Sequence, residues 1–250
     1  MHFLQAQLFG SKHLIGLLFI ALFFIVFNYI LKKLKLTNKQ KMIFFTIVFY
    51  MLEIAKLGYI IYIDGSFPIY QLPFHLCSLP LYLYPVILLI KNKTLVEKYL
   101  LPASFAIVLV AGIMALALPT NILGSQENWL PLKDNILPLI SFFYHGLMIF
   151  SSIYLLKNKI YQFEIKDYPK AMTVGITFAA IAHSFNILLD KDFMLLNKAT
   201  GSPLAFIFDI SKPLYQLSMI SSFAILIAIV FIITNLINSK FWVRKIIKTT

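Results

Sequence analysis

Disulfide chemistry is closed to this chain. It has a single cysteine, Cys77, so neither an intramolecular bridge nor a cysteine-based zinc cluster can form. Arginine is almost missing: of 22 Lys and Arg, only Arg244 is an arginine. Only 13% of the residues are charged and only 10 are acidic, where a soluble domain carries about a quarter charged. There are 2 Trp and 9 Gly in 250 residues, with no repeat at a fixed period and no low-complexity tract. The net charge of +12 does not point to nucleic acid. The lysines stand in short clusters between apolar segments and build no single basic face, which is the pattern of positive-inside bias in a membrane protein.

What is present is apolar. The chain is 60% hydrophobic with 24 Phe and 13 Tyr, and its mean hydropathy is +0.84. This composition predicts an all-α, polytopic membrane protein whose only partners are membrane lipids. Seven segments are long enough to cross a core about 30 Å thick: 13–31, 41–63, 72–91, 99–119, 136–156, 170–189 and 214–238. Short connections make residues 1–250 a single bundle. The connections 32–41, 91–98, 157–170 and 239–250 carry sixteen Lys and Arg, and the opposite set (1–12, 64–71, 120–135, 190–213) carries five. That alternation predicts seven spans, an outside N-terminus and a cytoplasmic C-terminus. The first apolar run lacks a basic lead and a small-residue cleavage site, so it is expected to stay as an anchor. The excess of Lys, Ile, Asn and Phe over Arg, Ala and Gly fits a low-GC bacterial genome, hence a bacterial plasma membrane. Trp129 and Trp242 fall where interfacial aromatics belong.

Small residues four apart mark faces where helices approach closely: Ala111 and Ala115 in the fourth segment, Gly175 and Ala179 in the sixth. Four further on is His183, so it is expected on a tightly packed inward face.

The stretch Pro73-Phe-His-Leu-Cys-Ser-Leu-Pro-Leu-Tyr-Leu-Tyr-Pro85 draws the polar residues around it. An ionisable group at membrane depth is a functional-site hypothesis, because an unpaired one is costly there. At ~1.5 Å per residue, His75 and Cys77 lie ~5–8 Å below the outer surface and His145 ~13 Å below it. On the same rise, His183 lies ~20 Å above the inner surface, Asn186 higher, and Glu53 with Lys56 at ~18–22 Å. The polar residues of four segments thus converge in the outer half, joined by Lys212. Pro73 suits a first helical turn, whereas Pro80 and Pro85 would kink the segment and free the carbonyls of Leu76 and Leu81. Cys77 falls just after the expected helix start, where the positive end of the dipole favours a thiolate. With an imidazole as general base it becomes a nucleophile. His75 is two residues away on a regular helix and does not face the thiol; His145 or His183 is better placed. Glu53 and Lys56, three apart, are expected to pair.

The motifs Leu72-Pro-Phe-His-Leu-Cys-Ser-Leu, Phe143-Tyr-His-Gly146 and Phe185-Asn…Asn197-Lys198-Ala-Thr-Gly-Ser-Pro…Lys212-Pro213 resemble YwaF-type bacterial integral membrane proteins. These are grouped with eukaryotic transmembrane protein 164, and the similarity spans roughly residues 40–220. The resemblance implies a cysteine-dependent acyltransferase that moves acyl chains between phospholipids and also requires a histidine. Cys77 matches the nucleophile; His145 matches the histidine, with His183 as the alternative.

The expected function is therefore a lipid acyltransferase or acyl hydrolase that needs no cofactor. In it, Cys77 attacks an ester, His145 or His183 moves the proton, and His75, Ser78 and Asn186 orient the base or donate to the oxyanion. Lys56 or Lys212 would hold a lipid phosphate. The rival is a non-enzymatic carrier or receptor whose pocket is lined by Glu53, Lys56 and the histidines. A metal site built from His75, His145, His183 and Cys77 is a third option, which no ligand spacing supports.

Overall fold

The computed structural model describes residues 10–118, 136–199, 202 and 204–247. Trp129 and the turn residues Thr200, Gly201 and Pro203 lie outside that set, as does the side chain of Trp242. The described chain is helical, without a strand. Helix α1 (Ser11–Lys33) ends on Lys32 and Lys33, with the Lys33 ammonium 4.8 Å from the Tyr29 ring centre. Helix α2 (Asn38–Asp64) starts at a capping box: the Gln40 N–H donates to the Thr37 hydroxyl, and the Thr37 N–H donates to the Gln40 side chain. It stops at Gly65, whose φ of 67° is a left-handed cap that glycine adopts without strain.

Helix α3 departs most from expectation. Instead of one helix over 72–91, the chain makes a 3-10 turn at Ile69–Gln71, a second at Leu76–Ser78, and an α-helix only over Leu79–Leu89. Pro73 falls in the irregular lead-in. Pro80 occupies the first turn of α3, where its missing N–H is harmless, so it starts the helix and does not kink it. Pro85 is inside the helix. The apolar stretch Leu76–Leu89 is ~21 Å long at 1.5 Å per residue, shorter than a core of ~30 Å. Among the described residues, six other helices are long and apolar enough to cross a membrane.

Helix α4 (Lys93–Ala117) begins with Asn92 accepting the Leu95 N–H. It widens to a π-turn over Val96–Leu100, directly before Pro102. Proline displaces the carbonyl four residues back, and a π-turn accommodates that. Then follow α5 (Leu137–Lys157), α6 (Tyr168–Leu189), the short α7 (Ala205–Ile210) and α8 (Lys212–Ile247). Helices α4 and α5 are the most buried of the long helices, and α1, α2, α6 and α8 turn large faces outward.

Close approach in the centre depends on glycines next to the residues singled out by spacing. A Cβ on Gly112 would stand 3.0 Å from the His145 carbonyl, the Met148 Cβ and the Ile149 side chain, so Gly112 lets α4 and α5 approach closely. A Cβ on Gly146 would meet Ile20 at 2.5 Å and Phe24 at 2.7 Å. That notch admits α1, whose Phe24 stacks on Phe150 at 5.0 Å between ring centres.

The two glycine environments make a stability prediction. Gly146→Ala overpacks the α1–α5 contact and lowers stability by about 1–3 kcal/mol. Gly58→Ala, with nothing within 4 Å of the new atom, gains about 0.5–1 kcal/mol of helix stability. Thermal unfolding midpoints of the two purified variants check both signs.

Candidate functional site at the polar end of the bundle

The site begins with the irregular backbone. Carbonyls outside regular helix, or freed by a proline within one, need donors from elsewhere in the protein. Three tyrosines supply them: the Tyr50 hydroxyl donates to the Leu81 carbonyl (2.7 Å), Tyr82 to Pro73 (3.0 Å) and Tyr144 to Cys77 (3.1 Å). Leu81 is the carbonyl that Pro85 frees, as its spacing predicts. The Leu76 carbonyl is instead used within the 3-10 turn, accepting the Leu79 N–H.

Cys77 is a free, partly buried thiol. It stands two residues before α3, with Ser78 between them at the N-cap, and so lies off the helix's positive end instead of within its first turn. Ser78 is buried, and its N–H donates to the His75 carbonyl at 2.9 Å. On α2, Glu53 and Lys56 pair as expected, with Lys56 Nζ 2.8 Å from Glu53 Oε1. The contact is ionic, without a well-aligned hydrogen bond to that oxygen. Glu53 is buried, and the Lys56 side chain keeps 26% exposure. The ammonium lies within Coulombic reach of His75, Cys77 and His145, which makes this pair the charged centre of the site.

The two nearby histidines are held in opposite senses. His145 Nδ1 is 2.7 Å from the Ser141 carbonyl. A carbonyl can only accept, so Nδ1 carries the proton and Nε2 keeps its lone pair. His75 Nδ1 accepts the Met194 N–H at 3.3 Å, and the Tyr70 backbone also hydrogen-bonds this ring. His75 therefore braces the loop after α6.

That loop is over-determined. Asp190, Met194, Leu195 and Ala199 have φ near +50°, a left-handed conformation that costs a bulky residue about 1–3 kcal/mol and persists only where the surroundings enforce it. Asn186, wholly buried, binds the Phe193 backbone at both ends of its amide, at 2.9 and 2.5 Å. The Tyr215 hydroxyl donates to the Leu195 carbonyl (2.6 Å), and Gln216 donates to Leu196 (2.8 Å). Asp192 accepts the N–H groups of Asn197 and Lys198. The exposed Lys212 donates to Asn197 at 2.7 Å. The Lys198 ammonium, 3.0 Å from Asp190, holds that carboxyl below its ordinary pKa.

The nine residues that sequence reasoning brought forward thus separate into three places. Glu53, Lys56, His75, Cys77, Ser78 and His145 gather around the ion pair and the Cys77 turn. Asn186 and Lys212 are spent on the loop. His183 does not face a tight inward contact; with Gly175 and Ala179 it lines a cavity between α6 and α8, with Leu76 in the wall. Among the described residues no three His, Cys, Asp or Glu side chains converge to hold a metal ion. Missed in the sequence were the backbone-bracing tyrosines and His13, buried with its Nε2 2.7 Å from the Leu116 carbonyl at the end of α4. Tyr50 carried a signal: it stands three residues before Glu53 on one face of α2.

Length, hydropathy and fold together describe a multi-pass helical membrane protein with a Glu53–Lys56 ion pair on α2. The model of the TMEM164 family matches residues 8–238, nearly the whole chain, and the chain belongs to that family. Comparison with curated proteins returned no match, nor did comparison with solved structures.

The Asn186 clamp is directly testable. Asn186→Leu leaves the Phe193 N–H unpaired and its carbonyl with the Leu196 N–H alone, which destabilises the protein by about 1–3 kcal/mol. Hydrogen exchange should accelerate at Phe193 and Met194 while the amides of α4 and α5 stay protected.

Proposed function

We propose that the protein is a membrane enzyme that transfers or hydrolyses the acyl group of a lipid through Cys77. The observation that carries this reading is the grouping of Cys77, His145 and the Glu53–Lys56 pair, on backbone held by tyrosine hydroxyls. Family membership supports it through the resemblance described above. His145 Nε2 takes the thiol proton as Cys77 Sγ attacks the ester carbonyl. The tetrahedral oxyanion collapses, breaking the bond to the lipid alkoxide, which leaves with the proton from His145. A second lipid alcohol or water then gives its proton to His145, attacks the thioester and restores the thiol. Lys56 faces the developing oxyanion or a lipid phosphate. Of the two histidines considered for the base, His145 shares the Lys56 neighbourhood with Cys77, while His183 stands beyond Leu76.

In the same reading α3 with its lead-in is a seventh pass through the bilayer of a bacterial plasma membrane. The three-residue link from Leu89 to Lys93 leaves α3 and α4 to run in opposite directions, and the lysine-rich connections then fall on one side, in the cytoplasm.

A second reading is favoured by the buried ion pair itself: a carrier or receptor that binds a polar ligand at Glu53 and Lys56.

Two experiments test these proposals. Incubation of purified protein with phospholipid should give an acyl thioester on Cys77, seen by intact mass and lost in Cys77→Ala. His145→Ala should slow acylation by about 10²–10⁴-fold. A loss of that size from His183→Ala would move the base to α6. An unreactive Cys77, with ligand binding lost in Lys56→Met, would favour the carrier. For topology, Cys77→Ala is a cysteine-free background. A cysteine placed at Lys159 should be shielded from a membrane-impermeant maleimide in intact cells, and one placed at Ser66 should react; the reverse pattern overturns the orientation.

A further inference from the structure

A cavity of about 270 Å³ lies between α6 and α8, and the Cys77 chemistry makes no use of it. Met172, Gly175 and Ala179 line it from α6, and Met219 and Phe223 from α8. The small residues at 175 and 179 leave the α6 face hollow, and the Ile107 side chain from α4 lies 3.1 Å from where a Gly175 Cβ would be. Ile176 and Ile220 also line it, and they are 52% and 39% exposed, so the groove opens sideways onto the surface that lipid covers. Along α6, from Met172 to His183, it runs ~16 Å at 1.5 Å per residue. That is about half of a ~30 Å hydrocarbon core, the depth of one leaflet.

Its polarity is one-sided. Met172 and Phe223 line the deep end, while His183 and Gln216 line the end nearest the loop after α6. Gln216 is committed to the Leu196 carbonyl. His183 Nδ1 is buried and has no hydrogen-bond partner among the described residues. An unmet polar group in an apolar wall is unfavourable, and the polar end of a ligand can supply the missing partner. Leu76, next to Cys77, forms part of the wall at this same end, as does Met194, whose N–H is bonded to His75.

We propose that this groove holds one acyl chain of a membrane phospholipid drawn sideways from the leaflet on the Cys77 side. His183 hydrogen-bonds the ester region. The proposal deepens the enzyme reading, by giving the chain a seat whose polar end abuts the Cys77 turn, and it uses the orientation above only to say which leaflet. A slot of this length and volume admits one chain and leaves the second chain and headgroup outside.

The test uses the full protein in nanodiscs containing phosphatidylcholine with a diazirine along one acyl chain, with adducts mapped by mass spectrometry. Adducts at Met172, Ala179 and Phe223 should exceed those on the outward-facing Leu18 and Leu22 of α1 by about tenfold or more. Ala179→Phe should remove most groove adducts and leave those on α1 unchanged, which also reports that the variant is folded. Equal labelling of groove and α1 overturns the proposal, and so does labelling of the groove by a diazirine fatty acid but not by the phospholipid. Groove adducts without any Cys77 thioester would sink the enzyme reading alone. A Cys77 thioester without groove adducts would sink the groove alone.

Discussion

A backbone carbonyl that regular helix leaves unpaired needs a donor from elsewhere, and the packing around the Cys77 turn is arranged around that constraint. The run from Gly65 to Ser78 is not α-helix, and its 3-10 turns meet only part of its backbone. Tyrosine hydroxyls from α3 and α5 take up the carbonyls of Pro73 and Cys77, and Tyr50 of α2 does the same for Leu81, the carbonyl that Pro85 frees inside α3. Tyrosine suits the task because its ring packs as an apolar body and its tip carries one strong donor. Three of the tyrosines in a chain with few charges thereby have a structural use: they hold an irregular segment and a proline-interrupted helix in place.

Irregularity there has a consequence for chemistry. Had residues 72–91 formed one helix, His75 and Cys77 would have pointed to different faces with their backbones closed to outside partners. In 3-10 and extended conformation, His75 instead reaches the Met194 N–H in the loop after α6, while Cys77 stays beside Tyr144 and within reach of Lys56. The loop after α6 holds several non-glycine residues in left-handed conformation, and its ties to Asn186, Tyr215 and Gln216 enforce them. Histidines that look alike in the sequence consequently do different work. His75 is a brace, His145 is a tautomer fixed by a carbonyl, and His183 is an unmatched group in an apolar wall.

Much of the architecture was legible beforehand. The bounds of α2, α5 and α6 fall within a few residues of those read from apolar runs, since length and hydropathy dominate when the solvent is hydrocarbon. The pairing of Glu53 with Lys56 followed from a spacing of three on one helix, and the Leu81 carbonyl from Pro85. Helix α3 was misjudged because Pro80 was read as an interior kink. A proline in the first turn and one in the interior look identical until the start of the helix is known. The small-residue face of α6 differed for a related reason. Spacing of four marks a face without saying what covers it, and at Gly175 and Ala179 there is a groove.

By itself the sequence determined that this is a helical membrane protein and where its long apolar segments lie. Those properties depend on transfer of side chains and backbone from water to hydrocarbon, which is local and additive along the chain. Only the tertiary structure decided which polar residues share a neighbourhood, which histidine nitrogen carries a proton and which faces stay open. Those depend on partners more than a hundred residues away, such as Met194 for His75. A hydrogen bond is settled by the position of both its ends, and no pattern within one segment contains the other.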